Sequence, residues 1–286
     1  MTDQRKYISK LAGKHVLIIG GSAGIGYGVA EASLEHGAAV TISSSNAGRL
    51  AAAVDALSAA YPTAAREGRI SPGVVCDLGA ADDDALDANA ANLFATITSR
   101  PSPTGDSKTT TTTTTIDHIV YSAGDALATI PLASATTARV RRAGTVRFFG
   151  ALACARAATQ VLPPNTLSSF TITSGTVAHR PLPGWAVVGG FATGLLGMTR
   201  SLALDLAPAR IRVNCVAPGA VDTGLWDGMV EGGEGGKRKV FEELEGRLPT
   251  GRVGRVEDVA EAFLYLMRDG NATGSVVTTD GGALLV

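Results

Sequence analysis

The chain has 286 residues, 45% of them hydrophobic, and a formal net charge of −1, so it is long enough to bury a full core as one large domain. Neither sign of charge dominates, which argues against a nucleic-acid groove or a polybasic membrane surface. The polar start, MTDQRKYISKLAGKH, lacks the apolar core of a signal peptide, and no apolar run reads as a membrane span; a cytoplasmic protein is expected. Cys76, Cys154 and Cys215 lie far apart without CxxC spacing and read as small buried residues, so no metal site is expected.

Apolar β-type runs alternate with amphipathic helical stretches, the signature of an α/β protein with a parallel sheet covered on both faces. HVLIIGG at 15–21 is a first strand, buried on both sides because it does not alternate. A helix, IGYGVAEASLEHG, follows and stops at Gly37. AAVTISSS is a second strand, NAGRLAAAVDALSAAY a second helix, and GVVCDL at 73–78 a third strand. The third helix, DDDALDANAANLFATITS, carries its acids at the start, where the helix dipole favours them. IDHIVYSAG at 116–124 is a fourth strand, and three more follow: FTITSG at 170–175, IRVNCVAPG at 211–219 and SVVTTDGG at 275–282.

Two segments break this rhythm. Residues 100–117 hold seven consecutive threonines, Thr109 to Thr115, behind Pro and Gly, and read as a surface loop. Residues 223–254 carry many glycines between short helical pieces after a strand end, and read as a substrate lid or as a plain irregular loop.

IIGGSAGIG places Gly20, Gly24 and Gly26, with Ser22 and Ile25 between them, where a buried strand turns into a helix. Glycine lets the backbone turn tightly and approach a pyrophosphate, whose charge meets the helix N-terminus. The G-x-x-x-G-x-G spacing resembles the short-chain dehydrogenase/reductase (SDR) family. Four further stretches fit that family in order: CDL, YSAG, APGAVDT and TGSVVTTDGG. The resemblance covers Leu11 to Gly282 and implies a single-domain, doubly wound Rossmann fold with a mostly seven-stranded parallel sheet over 1–286. It sets Asp77 and Leu78 near the adenine, Ser122, Ala123 and Gly124 against the cofactor, Pro218 and Gly219 in the Pro-Gly motif, and Val221 and Thr223 at the carboxamide. NAD-preferring relatives place an acid after the second strand. Here Ser44, Ser45, Asn46 and Arg49 offer donors and charge to a 2′-phosphate, so NADP(H) is the expected cofactor; the same polar residues also suit a helix cap.

The family moves its proton with a Tyr-x-x-x-Lys pair, an upstream Ser and a helix Asn. Anchored on GMTRSLALDLAP, the tyrosine position is Val188 and the lysine position Ala192; Gly175 takes the serine position, between Ser174 and Thr176. No tyrosine lies between Tyr121 and Tyr265, and no lysine between Lys108 and Lys237, so no shift in register restores the pair. The helix of residues 135–160 holds no asparagine, but Arg147 stands near its place.

Arg147, the turn Pro181-Leu182-Pro183-Gly184-Trp185 and the Tyr/Lys-free helix resemble a narrower group, the SDR-like reductase/Diels–Alderases of fungal prenylated indole alkaloid biosynthesis. In that group the turn carries an aspartate where this chain has Leu182, a carboxylate suited to a cationic substrate. The resemblance implies a bulky hydrophobic natural-product substrate and a homodimer or homotetramer built on helices 135–160 and 186–206. Arg147, Trp185 and Asp125 are the candidate catalytic residues. Each has a plainer role: an ion-paired helix arginine, a packed indole, a solvated loop acid. His179 is a further candidate acid or a surface histidine; Gly189, Gly190, Gly194 and Gly197 make room for a ligand or for helix packing.

Reducing a ketone puts negative charge on oxygen, which an acid must absorb; reducing an iminium neutralises charge already present. The expectation is therefore an NADPH-dependent reductase of an imine, iminium or similar activated electrophile. A redox-neutral cyclase that retains NADP(H) and a non-catalytic cofactor-binding protein remain as alternatives.

Overall fold

In the computed structural model the described residues are 6–80, 82–101, 114–127 and 129–286. The chain runs β1 (His15–Ile19), α1 (Gly24–Glu35), β2 (Ala39–Ser44), α2 (Ala47–Ala60), a short α3 (Pro62–Arg66), β3 (Val74–Val75), α4 (Asp83–Thr98) and β4 (His118–Tyr121). It continues through α5 (Thr137–Gly144), α6 (Gly150–Ala158), β5 (Ser169–Thr173), α7 (Ala186–Asp205), β6 (Arg212–Pro218), α8 (Gly233–Glu245), α9 (Val256–Arg268) and β7 (Val276–Thr279). All seven strands are parallel, in the order β3-β2-β1-β4-β5-β6-β7. This is the doubly wound Rossmann sheet expected from the sequence.

The continuous apolar reading of β1 has a simple cause. Leu17 and Ile19 enter one core with Leu93, Phe94 and Phe170, while Val16 and Ile18 enter the other with Val29, Ile42 and Phe263. Each fully buried Leu or Ile contributes about 1.5–3 kcal/mol. The cysteines are buried and free. Asp82 caps α4, accepting from the Ala85 amide at 2.7 Å, with Asp83 and Asp84 in its first turn.

On the far side of the sheet, buried Arg212 ties β6 to the end of α9. Its guanidinium donates to the carbonyls of Thr166, Leu266, Met267 and Ala272 at 2.6–3.1 Å. Leu266 and Met267 lie in the last turn of α9, whose carbonyls have no helical partner and carry the negative end of the dipole.

Two expectations need correction or limits. α7 is 20 residues long with a mean hydropathy of 1.3 over its most apolar window, so by length and composition it matches a membrane span. Here it packs against β6 and the turn before it, its apolar character coming from Gly, Ala and Leu that serve a Rossmann layer. The threonine-rich segment lies largely outside the described residues. Its described end is anchored: buried Thr114 donates its hydroxyl to the Arg100 carbonyl at 2.7 Å.

Two buried histidines sit at the N-terminal ends of the central strands. His15 bonds to the Thr115 carbonyl and the Thr41 hydroxyl, and His118 to the Ser169 hydroxyl. Burial lowers both, and pulls His118 down to about 3 from an ordinary 6.5. A histidine neutral when folded but protonated when unfolded favours unfolding as pH falls from about 6.5 toward 3. By pH 5 His118 alone costs about 2 kcal/mol of stability. Urea unfolding at pH 7.5 and pH 5 should show this loss, and His118→Asn should reduce it; an unchanged pH slope in that variant refutes the assignment.

Candidate active site

β1 and β4 are neighbours whose connections leave in opposite directions, which opens a crevice at their C-terminal ends. The chain crosses that crevice at Gly20, with φ at +88°. A Cβ there would stand 2.5 Å from the Ala123 amide nitrogen, so the glycine loop rests directly on the Ser122–Ala123 backbone. A Cβ on Gly26 would meet the Gly20 carbonyl at 2.3 Å. Ala23, at the start of α1, offers no side-chain cap, and no acid occupies the first turn. The first N–H groups of α1 are thus left for an anion.

The other cofactor-motif residues gather around this loop. The Thr223 methyl faces Gly24, where a Cβ would sit 3.4 Å from it. Gly219 donates its N–H to the Thr279 carbonyl and lies close against Asp280. Pro218 and Val221 are buried, and the Val221 carbonyl accepts the Trp226 indole N–H at 2.8 Å. Leu78 is buried in the core, whereas Asp77 is exposed and accepts from the Gly79 amide at 2.8 Å.

At the end of β2 the polar residues divide. Ser22 donates to Ser44, which is buried and also accepts from the Asn46 amide. The Asn46 side chain caps α2, accepting from the Arg49 amide at 2.8 Å. Ser44 and Asn46 therefore serve the fold, and the helix-cap alternative holds for Asn46. The Ser45 and Arg49 side chains are exposed and make no hydrogen bond or ion pair among the described residues.

Arg147 does not stand on a regular helix. Between α5 and α6, residues Thr145–Phe149 form one π turn, a device that often marks functional sites. The Arg147 guanidinium lies on Gly124, where a Cβ would stand 2.5 Å from its Cζ, and donates to the Asp125 carbonyl. The Asp125 carboxylate is 3.8 Å from Arg147 Nε, which is buried and makes no hydrogen bond. Burial lowers the Arg147 pKa from the usual arginine value, opposed by Asp125. Two of the three candidate catalytic residues thus meet over the Ser-Ala-Gly motif.

Trp185 is half-buried at the start of α7, after Gly184 with φ at +78°. Its indole makes no hydrogen bond or ring contact among the described residues. Ala192 is buried, and its carbonyl accepts the Ser174 hydroxyl at 2.9 Å, so that proton is committed to α7. A Cβ on Gly175 would meet the Pro218 carbonyl at 3.7 Å, an ordinary contact, so sterics do not forbid a serine there. His179 is exposed, and its ring has no partner among the described residues.

The glycines of α7 also divide. Gly194 takes the Phe148 ring, and across the helix pair Gly144 takes Phe191, in a cluster of Phe148, Phe149 and Phe191 with centroids 5.4–6.2 Å apart. Gly190 and Gly197 face open space. Residues 223–254 contain α8, tied back by Lys237: its Nζ is 2.8 Å from Asp222, next to Thr223. Trp226 stacks edge-on against Phe241 at 5.3 Å.

The sequence reads residues 135–160 as one helix, and the one trace of the π turn in it is Gly150, a glycine inside a helical run.

The family described as an SDR-like Rossmann domain matches residues 7–286. The short-chain dehydrogenase/reductase fsr5 of Gibberella fujikuroi is 42% identical over 286 residues, covering 100% of both chains. The structure of the MalC reductase/Diels–Alderase from Malbranchea aurantiaca superposes with a TM-score of 0.82 at 36% identity, covering 99% of this chain and 100% of that one. The apo structure of a short-chain oxidoreductase with an atypical catalytic centre, from Pseudomonas aeruginosa, gives 0.77 at 26% identity over 95% of this chain and 97% of that one. With a crevice, a glycine cradle and full-length relatives all of one kind, the chain belongs to the short-chain dehydrogenase/reductase family.

Proposed function

We propose that this chain is an NADP(H)-binding enzyme of secondary metabolism that folds a bulky, uncharged hydrophobic substrate into a cyclisation without net redox change. One observation carries the reading: a glycine cradle closed by Gly20 and Gly26 lies in the same molecule as an α7 that holds no tyrosine and no lysine. The name of a relative, reductase/Diels–Alderase, supports it.

The cradle fits a dinucleotide. The glycine loop and the bare N-terminus of α1 would hold its pyrophosphate, Ser45 and Arg49 a 2′-phosphate, and Ser122 to Gly124 with Thr223 its nicotinamide end. Bound there, the cofactor supplies a hydride or, unused, a flat wall of the pocket. Arg147 donates hydrogen bonds to a substrate carbonyl and draws electron density from an adjoining alkene, the activation a cycloaddition needs. The guanidinium keeps its protons throughout, so no tyrosine relay is required. Asp125 is its counter-ion, and Trp185 offers an indole face for stacking. Residues 223–254 close over the substrate as a lid hinged beside Thr223.

Reduction of an imine is the second reading, favoured by the intact cradle. A cationic iminium is the weaker substrate, because Leu182 places no carboxylate on the exposed turn and Asp125 faces Arg147. Self-association uses α7 and α6, where Leu204 and Leu152 are exposed; Gly190 and Gly197 lie on the Leu204 face of α7.

Tethered diene–enone probes, followed by mass spectrometry and 340 nm absorbance, test the reading. Cycloadduct should form equally with NADP+ and NADPH, without loss of absorbance. Product that appears only with NADPH, matched by its oxidation, would instead establish the reductase. Arg147→Gln should lower kcat by roughly 100-fold, the scale of losing one charge-stabilising donor. Calorimetry should find NADPH bound more tightly than NADH, and Arg49→Gln should weaken NADPH about 10-fold while sparing NADH. Equal wild-type affinities for the two cofactors would remove the role given to Ser45 and Arg49.

A further inference from the structure

Tyr121 ends β4 directly before Ser122, and its ring is fully buried in the core. Burial raises the phenol well above its usual value, so the group remains a hydrogen-bond donor. Its hydroxyl donates to the Val146 carbonyl, inside the π turn. In an α-helix that carbonyl would accept from the Gly150 N–H. Here the Gly150 N–H bonds instead to the Thr145 carbonyl, one residue earlier. The phenol thus partners a carbonyl whose α-helical donor has been diverted.

Gly150 completes the arrangement. A Cβ there would stand 2.5 Å from the Tyr121 hydroxyl oxygen, so any larger residue displaces the phenol. Arg147 follows Val146 within the same turn and reaches Gly124 and Asp125, which lie just beyond Tyr121 in sequence. Returning the turn to α winding shifts the helix by one residue, a rotation of roughly 100°. Arg147 would then leave the Ser-Ala-Gly motif.

We propose that Tyr121 is a positioning residue: its hydroxyl, seated over Gly150, holds the π turn open and so keeps Arg147 in the crevice. This inference rests on the role given above to Arg147, and the test separates the two.

The full chain is compared as wild type, Tyr121→Phe, Arg147→Gln and the double variant, with Gly150→Ala as a second way to disturb the same contact. Arginine labelling by phenylglyoxal, read peptide by peptide, needs no substrate, and exposed Arg49 serves as reference. Tyr121→Phe and Gly150→Ala should each speed Arg147 labelling at least 5-fold relative to Arg49, with melting temperature little changed for Tyr121→Phe. On the diene–enone probes Tyr121→Phe should lower kcat roughly 10-fold with KM nearly constant, and the double variant should be no slower than Arg147→Gln. Unchanged labelling, or losses that multiply in the double variant, would overturn the positioning role. Wild-type kcat in Arg147→Gln, with faster labelling in Tyr121→Phe, would instead overturn the catalytic role of Arg147 and leave the positioning intact.

Discussion

The close approach of two backbones at the sheet's reversal point governs this molecule. β1 and β4 run side by side, and Gly20 leaves β1 against Ser122 and Ala123 with no room for a side chain. Because the loop lies that low, the N-terminus of α1 opens into the crevice and Thr223 reaches across to Gly24. The same contact fixes Ser122 to Asp125, the segment on which Arg147 rests. A bulkier residue at Gly20 would lift the loop and uncouple the cofactor cradle from the neighbouring site.

In the proposed function the neighbouring site keeps the family's frame and changes its chemistry. A tyrosine–lysine pair exists to deliver a proton to a forming alkoxide. α7 holds no tyrosine or lysine, and the Ser174 hydroxyl is tied to the Ala192 carbonyl, so this helix presents packing rather than acid. Arg147, a donor that need not lose its proton, stands across the crevice loop on a π turn. The function proposed for this chain asks for orientation and electrostatic activation rather than proton transfer.

Much of the frame was legible in the chain. Buried strands show as unbroken apolar runs because both faces are covered, and the glycine spacing marks a tight turn where one stretch of backbone passes close to another. Asn46 shows the limit of that reading. Its side chain suits a ribose phosphate and a helix cap equally in sequence, and in space its oxygen is spent on the Arg49 amide. Gly194 is similar: a glycine on an apolar helix signals a close neighbour, but only packing reveals that the neighbour is Phe148 rather than a ligand. The apolar character of α7 is ambiguous for the same reason, since membrane and sheet reward the same residues.

By itself the sequence determined the parallel sheet, the glycine-rich turn after β1 and the absence of any tyrosine or lysine from residues 122–236, because these depend on local pattern and on which residues are present at all. Only the tertiary structure decided that Thr145–Phe149 winds as a π turn, that Tyr121 partners Val146 and that Arg147 meets Asp125. Those features arise where a strand end, a helix and a loop compete for the same hydrogen bonds. The outcome depends on the space left between them, and no residue carries that information alone.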